Sequence, residues 1–285
     1  METKIEKLDS YVIKTLDVIG SWEYPQVNIT KSDKNVFMGS GSAVCVSQMF
    51  NYKFGGISLS ADQYLAFLQN ATEKEYNIYI LSASGGKDAV NMAQACKDAG
   101  MQASLITCNQ DAPCKDLVKE MFVFPSFVDP PTYNVSTYFG MVYWLFKENP
   151  REARDFVLKL KKINLRKFKS IFFVSDDLHA PIAKMATRKV GECLENIMAN
   201  GEGQSQATHG VILQPNKHRL IIRLNTNFPV NNSKFYDINI DSFLGLLAST
   251  YYLIGQNQKN SDIKNTINNY SKTVQENHWK LTEKQ

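Results

Sequence analysis

Read for its apolar and polar positions, the chain alternates short apolar runs with longer stretches of helical period. NVFMGSGSAVCVSQMF, from Asn35 to Phe50, opens as an apolar strand, breaks at a Gly/Ser turn and continues with helical spacing. GGISLS reads as another extended piece and ADQYLAFLQN as a helix. YNIYILSASGG is a strand and turn, and KDAVNMAQACKDAG is a helix stopped by Gly100. MQASLITC and EMFVFP are the strands that follow. An amphipathic helix over Ile5 to Ile19 precedes all of these.

The second half repeats the theme. TYNVSTYFGMVYWLFKENP reads as a buried helix ending before Pro150, and REARDFVLKLKKINLRKFK as a charged helix and connector. SIFFVSDD is a strand, HAPIAKMATRKVGECLENIMA a long helix, and HRLIIRLNT and KFYDINI are strands. DSFLGLLASTYYLIGQ is an apolar helix, and the polar SDIKNTINNYSKTVQENHW closes the chain as a helical segment. Strands alternating with helices predict an α/β fold with parallel sheets covered by helices on both faces. The pattern divides into two units, residues 1–149 and 150–285.

Composition narrows the class. The 285 residues suffice for one large or two smaller cores, and 44% apolar with 21% charged residues is ordinary for a globular protein. A net charge of +4 is too small to indicate nucleic acid or a membrane surface. The basic run LKLKKINLRKFK accompanies no nucleic-acid motif and reads as a solvated connector. METKIEKLDSYVIKTL carries scattered charges and does not read as a secretory signal. FGMVYWLF, the longest uncharged apolar block, is far short of a membrane span. Five cysteines without Cys-x-x-Cys spacing, and with no histidine cluster beside them, argue for reduced thiols in a cytoplasmic protein and against a zinc site.

The turn in NIYILSASGGKDAV carries the candidate chemistry. A loop that leaves a strand and opens a helix points free N–H groups outward, and the helix dipole adds to their attraction for an anion. Glycines let the backbone approach closely, and serine hydroxyls add donors. Ser82, Ser84, Gly85 and Gly86 supply these groups, with Lys87 adding charge. The turn Gly39 to Ser42, GSGS, has the same layout in an earlier strand–helix unit. One such turn is ordinary; two at the carboxyl edge of one parallel sheet point to an anion site. A dinucleotide fingerprint fails because Val44 stands where the third glycine is needed, and no Walker loop is present.

These residues resemble the sugar isomerase (SIS) domain family. SASGGK is similar to its phosphate loop, with Lys87 in place of a threonine, and GSGSA is similar to its first loop. KVGE, ending at Glu192, with His209 seventeen residues on, resembles the Lys-x-x-Glu and His-Gly of double-SIS enzymes. NYSKTV, with Lys272, resembles the end of the isomerase half of glucosamine-6-phosphate synthase. Two departures suggest a divergent branch. SDD, Ser175 to Asp177, replaces a usual Gly-Arg-Gly, and the usual Asp-x-Asp-x-Pro near the end is missing.

The resemblance implies two tandem doubly wound, flavodoxin-like SIS units, and a cofactor-free, metal-free homodimer in which a partner subunit often completes the site. Its ligand would be a phosphosugar, with Ser40, Ser42, Ser82, Ser84, Gly85 and Lys87 holding the phosphate. The implied reaction is aldose–ketose isomerisation of a hexose 6-phosphate or amino-hexose 6-phosphate through an enediolate. Glu192 would move the proton, His209 would open the ring and Lys272 would stabilise the negative charge or form a Schiff base. Taken alone, each of the three is an ordinary surface residue type, and Glu195 and Glu202 are alternatives for the base. A fructosamine 6-phosphate deglycase or deaminase, and a catalytically silent phosphosugar sensor, are the alternative functions.

Overall fold

The computed structural model of the chain describes residues 6–71, 75–127, 129–130, 133–208, 216–230 and 233–263. They form two compact units. One comprises residues 18–127 and 136–149; the other gathers the residues up to Asp17, the segment before and including Val135, and those from Pro150 onward.

The first of these holds a five-stranded parallel sheet: β1 (Asn35–Gly39), β2 (Ile57–Ser60), β3 (Asn77–Leu81), β4 (Ala103–Thr107) and β5 (Glu120–Val123). Their order is β2-β1-β3-β4-β5. All five residues of β1 and of β4 are buried, as expected for strands covered on both faces. Alternation divides the two cores. Val36, Met38, Ile78, Ile80 and Leu105 pack with Met92, Ala93 and Cys96 of α4 (Lys87–Asp98) and with Tyr64 and Leu68 of α3 (Tyr64–Asn70). On the other face Phe37 stacks on Tyr79 with ring centroids 5.3 Å apart and meets Phe50 of α2 (Ser42–Phe54) at 5.7 Å. Phe50 in turn stacks on Trp144 of α5 (Val135–Phe146). These ring pairs add to area burial and fix the helices on that face.

The other unit holds the four-stranded parallel sheet β7-β6-β8-β9. Its strands are β6 (Ser170–Ser175), β7 (Met198–Gly203), β8 (Arg219–Leu224) and β9 (Lys234–Ile238). Its helices are α1 (Leu8–Val18, apart from its last residue), α6 (Pro150–Leu158), α7 (Ala180–Cys193), the short α8 (Gln204–Ala207) and α9 (Phe243–Gln256). Helix α9 is buried along nearly its whole length; its Ser249 and Thr250 hydroxyls donate to the carbonyls of Gly245 and Leu247, so their burial costs little. Arg166, within the basic run, donates to the Asn257 carbonyl at 2.9 Å and pairs with the buried Asp262. That guanidinium holds the fold together.

The helix expected to run to Ala199 stops at Cys193. Asn196 takes a left-handed backbone (φ 61°) and the chain re-enters the sheet as β7, MANGEG. At Gly201 a Cβ would lie 2.2 Å from the Ala183 carbonyl oxygen, so glycine lets this edge strand pack against α7.

Candidate functional site

In the five-stranded sheet β1 lies between β2 and β3, so the strand order reverses at the β1/β3 boundary. In such sheets ligands bind in the crevice outside the carboxyl ends of the strands at this switch point. Gly39 at the end of β1 is in register with Leu81 at the end of β3. The two Ser/Gly loops therefore leave adjacent strands at the same level. Ser40 and Ser42 come from one, and Ser82, Ser84, Gly85 and Lys87 from the other.

Helices α2 and α4 have glycine N-caps, Gly41 and Gly86, so neither N-cap offers a side chain to its own first turn. Ser82 Oγ accepts from Gly85 N at 3.1 Å, and Ser84 Oγ from Gly86 N at 3.2 Å. Each hydroxyl is oriented as an acceptor within the loop and keeps its own proton to donate. Ser84 is exposed, and Ser40, Ser42, Ser82 and Lys87 are half-buried. Lys87 opens α4.

Gly85 fixes the shape of the second loop. Its φ is +61°, and a Cβ there would lie 2.4 Å from the Ala112 Cβ. The strand next door braces the same loop. Thr107 Oγ1 and Cys108 N both donate to the Ala83 carbonyl at 3.1 Å, and Asn109 Nδ2 donates to the Ser84 carbonyl at 2.9 Å. These bracing residues were not among the sequence candidates. Their signal is the polar TCN directly after an apolar strand.

Glu192 belongs to the other unit, on the last turn of α7. Its Oε2 accepts from Lys189 Nζ at 2.5 Å. Lys189 is 1% exposed, donates also to the Tyr133 carbonyl at 2.9 Å and lies 5.2 Å from the Tyr251 ring centroid. A lysine can be this deeply buried only with such partners. Beside them burial pushes the Cys193 thiol up to about 12, with Lys189 opposing the rise and Glu192 and Asp262 adding to it. Glu195 is exposed beyond the helix end and Glu202 is on β7. Glu192 pairs with the buried Lys189 one turn before it in the same helix. Lys189 was legible only as the i,i+3 partner in KVGE. His209 and Lys272 lie outside the described residues.

No group of three or more His, Cys, Asp or Glu suited to a metal ion occurs among the described residues, and no helix among them is long and apolar enough to cross a membrane.

No protein-family model matches the chain, and no curated protein sequence does. Solved structures do match it. The C-terminal domain of glucosamine-fructose-6-phosphate aminotransferase from Francisella tularensis superposes with a TM-score of 0.66 at 10% identity, covering 92% of this chain and 95% of that one. Glucosamine-6-phosphate deaminase from Thermotoga maritima gives 0.60 at 13% identity, covering 87% and 89%. Tagatose-6-phosphate ketose/aldose isomerase from Escherichia coli gives 0.55 at 11% identity, covering 88% and 86%. At these identities the likeness is one of fold: α/β, with parallel sheets of five and four strands flanked by helices.

Proposed function

We propose that the chain is a double-SIS phosphosugar isomerase, interconverting aldose and ketose forms of a hexose 6-phosphate or amino-hexose 6-phosphate. The observation that carries this reading is the pairing of two Ser/Gly loops, each opening a helix, on register-matched strands at the β1/β3 switch point. Solved proteins of the same fold are named for phosphosugar chemistry, which supports it.

In this account the loops grip the phosphate through Ser40, Ser42, Ser82, Ser84, the Gly85 backbone and Lys87. Binding energy at this remote group positions the carbon skeleton. Glu192 removes a proton from C2 of the aldose, or C1 of the ketose, and returns it to the neighbouring carbon. Lys189 holds the Glu192 carboxylate in place. His209 shuttles the ring-opening proton, and Lys272 stabilises the enediolate. The account takes the chain as a cytoplasmic homodimer of two-unit protomers, needing neither metal nor cofactor.

The T. maritima neighbour, a deaminase by name, supports a second reading in which the same proton transfer turns an amino-hexose 6-phosphate into a C2 imine that water hydrolyses to the ketose phosphate and ammonia. One experiment separates the two. The protein is incubated in D2O with fructose 6-phosphate and with glucosamine 6-phosphate, and C1/C2 exchange is followed by NMR alongside an ammonia assay. Exchange without ammonia supports isomerisation, and exchange with ammonia supports deamination. Binding with neither favours a phosphosugar sensor or a fructosamine 6-phosphate deglycase.

A further inference from the structure

The four-stranded sheet has a switch point of its own. β6 lies between β7 and β8, and Ser175 at the end of β6 is in register with Leu224 at the end of β8. Outside these carboxyl ends lies an open cleft of about 570 Å³, lined by Asp176, Asn225, Thr226, Asn227, Asn239, Ile240 and Asp241. It occupies the position where sheets of this topology bind ligands, yet its chemistry is the reverse of the serine crevice. Two carboxylates face it, three amides and a hydroxyl surround them, and no cationic side chain lines it among the described residues.

The walls are already fixed. Asn225 donates through Nδ2 to the Ile240 carbonyl and accepts from Ile240 N, both at 2.8 Å, tying β8 to the loop after β9. Thr226 Oγ1 donates to Gln204 Oε1 at 2.7 Å. The Asp176 carboxylate is clamped by His179, whose backbone N and Nδ1 both lie 2.8 Å from Oδ1. That imidazole is 3% exposed and packs on Phe243 at 4.5 Å, so Asp176 is held from behind by a buried ring. Among the described residues, the Asn227, Asn239 and Asp241 side chains have no hydrogen-bond or ion-pair partner. These three side chains are exposed, so what marks the cleft is its place at the switch point and its fixed walls, with polar groups left open to a ligand.

We propose that this cleft is a second ligand site, and that it takes an amine-bearing polyol lacking phosphate. Carboxylates form strong charge-assisted hydrogen bonds with an ammonium group, and amide side chains offer donors and acceptors that match hydroxyls. The same carboxylates repel a phosphate. The site goes beyond the isomerase reading and does not depend on it.

The test titrates the full chain, with labelled asparagine side-chain amides, against glucosamine, N-acetylglucosamine and glucosamine 6-phosphate. Saturable shifts of the Asn227 and Asn239 amides are expected with glucosamine, weakened about tenfold or more by N-acetylation or by phosphate. Asp241→Asn weakens glucosamine binding by a similar factor, and Asn239→Ala serves as an independent second variant. Ser84→Ala leaves these shifts unchanged. The proposal is overturned by shifts that do not saturate, by equal binding of all three sugars, by binding unaffected in both cleft variants, or by shifts lost in Ser84→Ala. That last result would place glucosamine in the serine crevice, while failure of the isomerase reading would leave the cleft titration untouched.

Discussion

Gly39 and Leu81 are register partners at the carboxyl ends of β1 and β3, so Ser40 and Ser82 leave the sheet side by side. That juxtaposition of two Ser/Gly loops is the basis of the proposed phosphate site.

Ser84→Ala removes an exposed hydroxyl that accepts from Gly86 N within its own loop. A hydrogen bond to a charged group contributes about 1.5–3 kcal/mol, so the variant should bind phosphosugar roughly ten- to a hundredfold more weakly. Calorimetric titration checks this, with the thermal midpoint expected to change little. An unchanged affinity would remove Ser84 from the site.

Gly85→Ala should be costly to the fold as well as to binding. A left-handed backbone costs a residue with a Cβ about 1–2 kcal/mol. The contact with the Ala112 Cβ adds an overpacking cost of similar size. Urea denaturation should show a loss of a few kcal/mol. A variant as stable as the parent would mean that the loop adopts another conformation.

Glu192→Gln should abolish turnover while leaving phosphosugar affinity within a few-fold of the parent, because the phosphate loops are elsewhere in the chain. Retained turnover would shift the base to Glu195 or another carboxylate. Lys189→Met should lower stability by about 1–3 kcal/mol, the cost of stranding the Tyr133 carbonyl that it serves. Glu192 is 38% exposed, so water takes over much of its lost pairing.

Alkaline pH should loosen the fold through buried thiols, which burial raises at Cys96, Cys114 and Cys193. Burial raises Cys96 from 9.0 to about 11 and Cys193 from 9.0 to about 12. Between those values the folded chain keeps protons that the unfolded chain has lost, so stability falls as pH rises. Their contribution is whole below pH 9 and is lost through about pH 11 and 12. Urea midpoints should hold steady to about pH 8 and decline above 9, less steeply in Cys193→Ala. A decline as steep in that variant would contradict the assignment.

Thiol reagents offer a probe of the crevice. Cys45, Cys96, Cys114 and Cys193 are buried, whereas Cys108 is half-buried and its backbone N braces the Ala83 carbonyl of the serine loop. In the folded protein Cys108 should react first, and a saturating phosphosugar should slow it. Reaction at the same rate with and without ligand would count against occupancy of the neighbouring loop.

The serine loops were legible in sequence because their function needs small residues at a strand–helix junction, and nothing in a core would select SASGG after NIYIL. The strands β1, β3 and β4 were legible for the opposite reason, as continuous apolar runs. β7 was not. MANGEG has neither apolar run nor alternation, and it is a strand because Gly201 and Gly203 permit close packing against α7 and Asp177. Propensity cannot see that tertiary cause. The same limit hid Thr107 and Asn109, whose role appears only once β4 lies beside β3. It also hid Lys189, whose burial depends on Tyr133 and Tyr251, far away in sequence.

The most direct test of the central claim compares fructose 6-phosphate with fructose by calorimetric titration of the parent chain and of the Ser42→Ala/Ser84→Ala double variant, which draws one serine from each loop. The account predicts saturable binding of the phosphorylated sugar alone, weakened more in the double variant than in either single variant. Equal affinity for the two sugars, or a double variant that binds fructose 6-phosphate as the parent does, would contradict it.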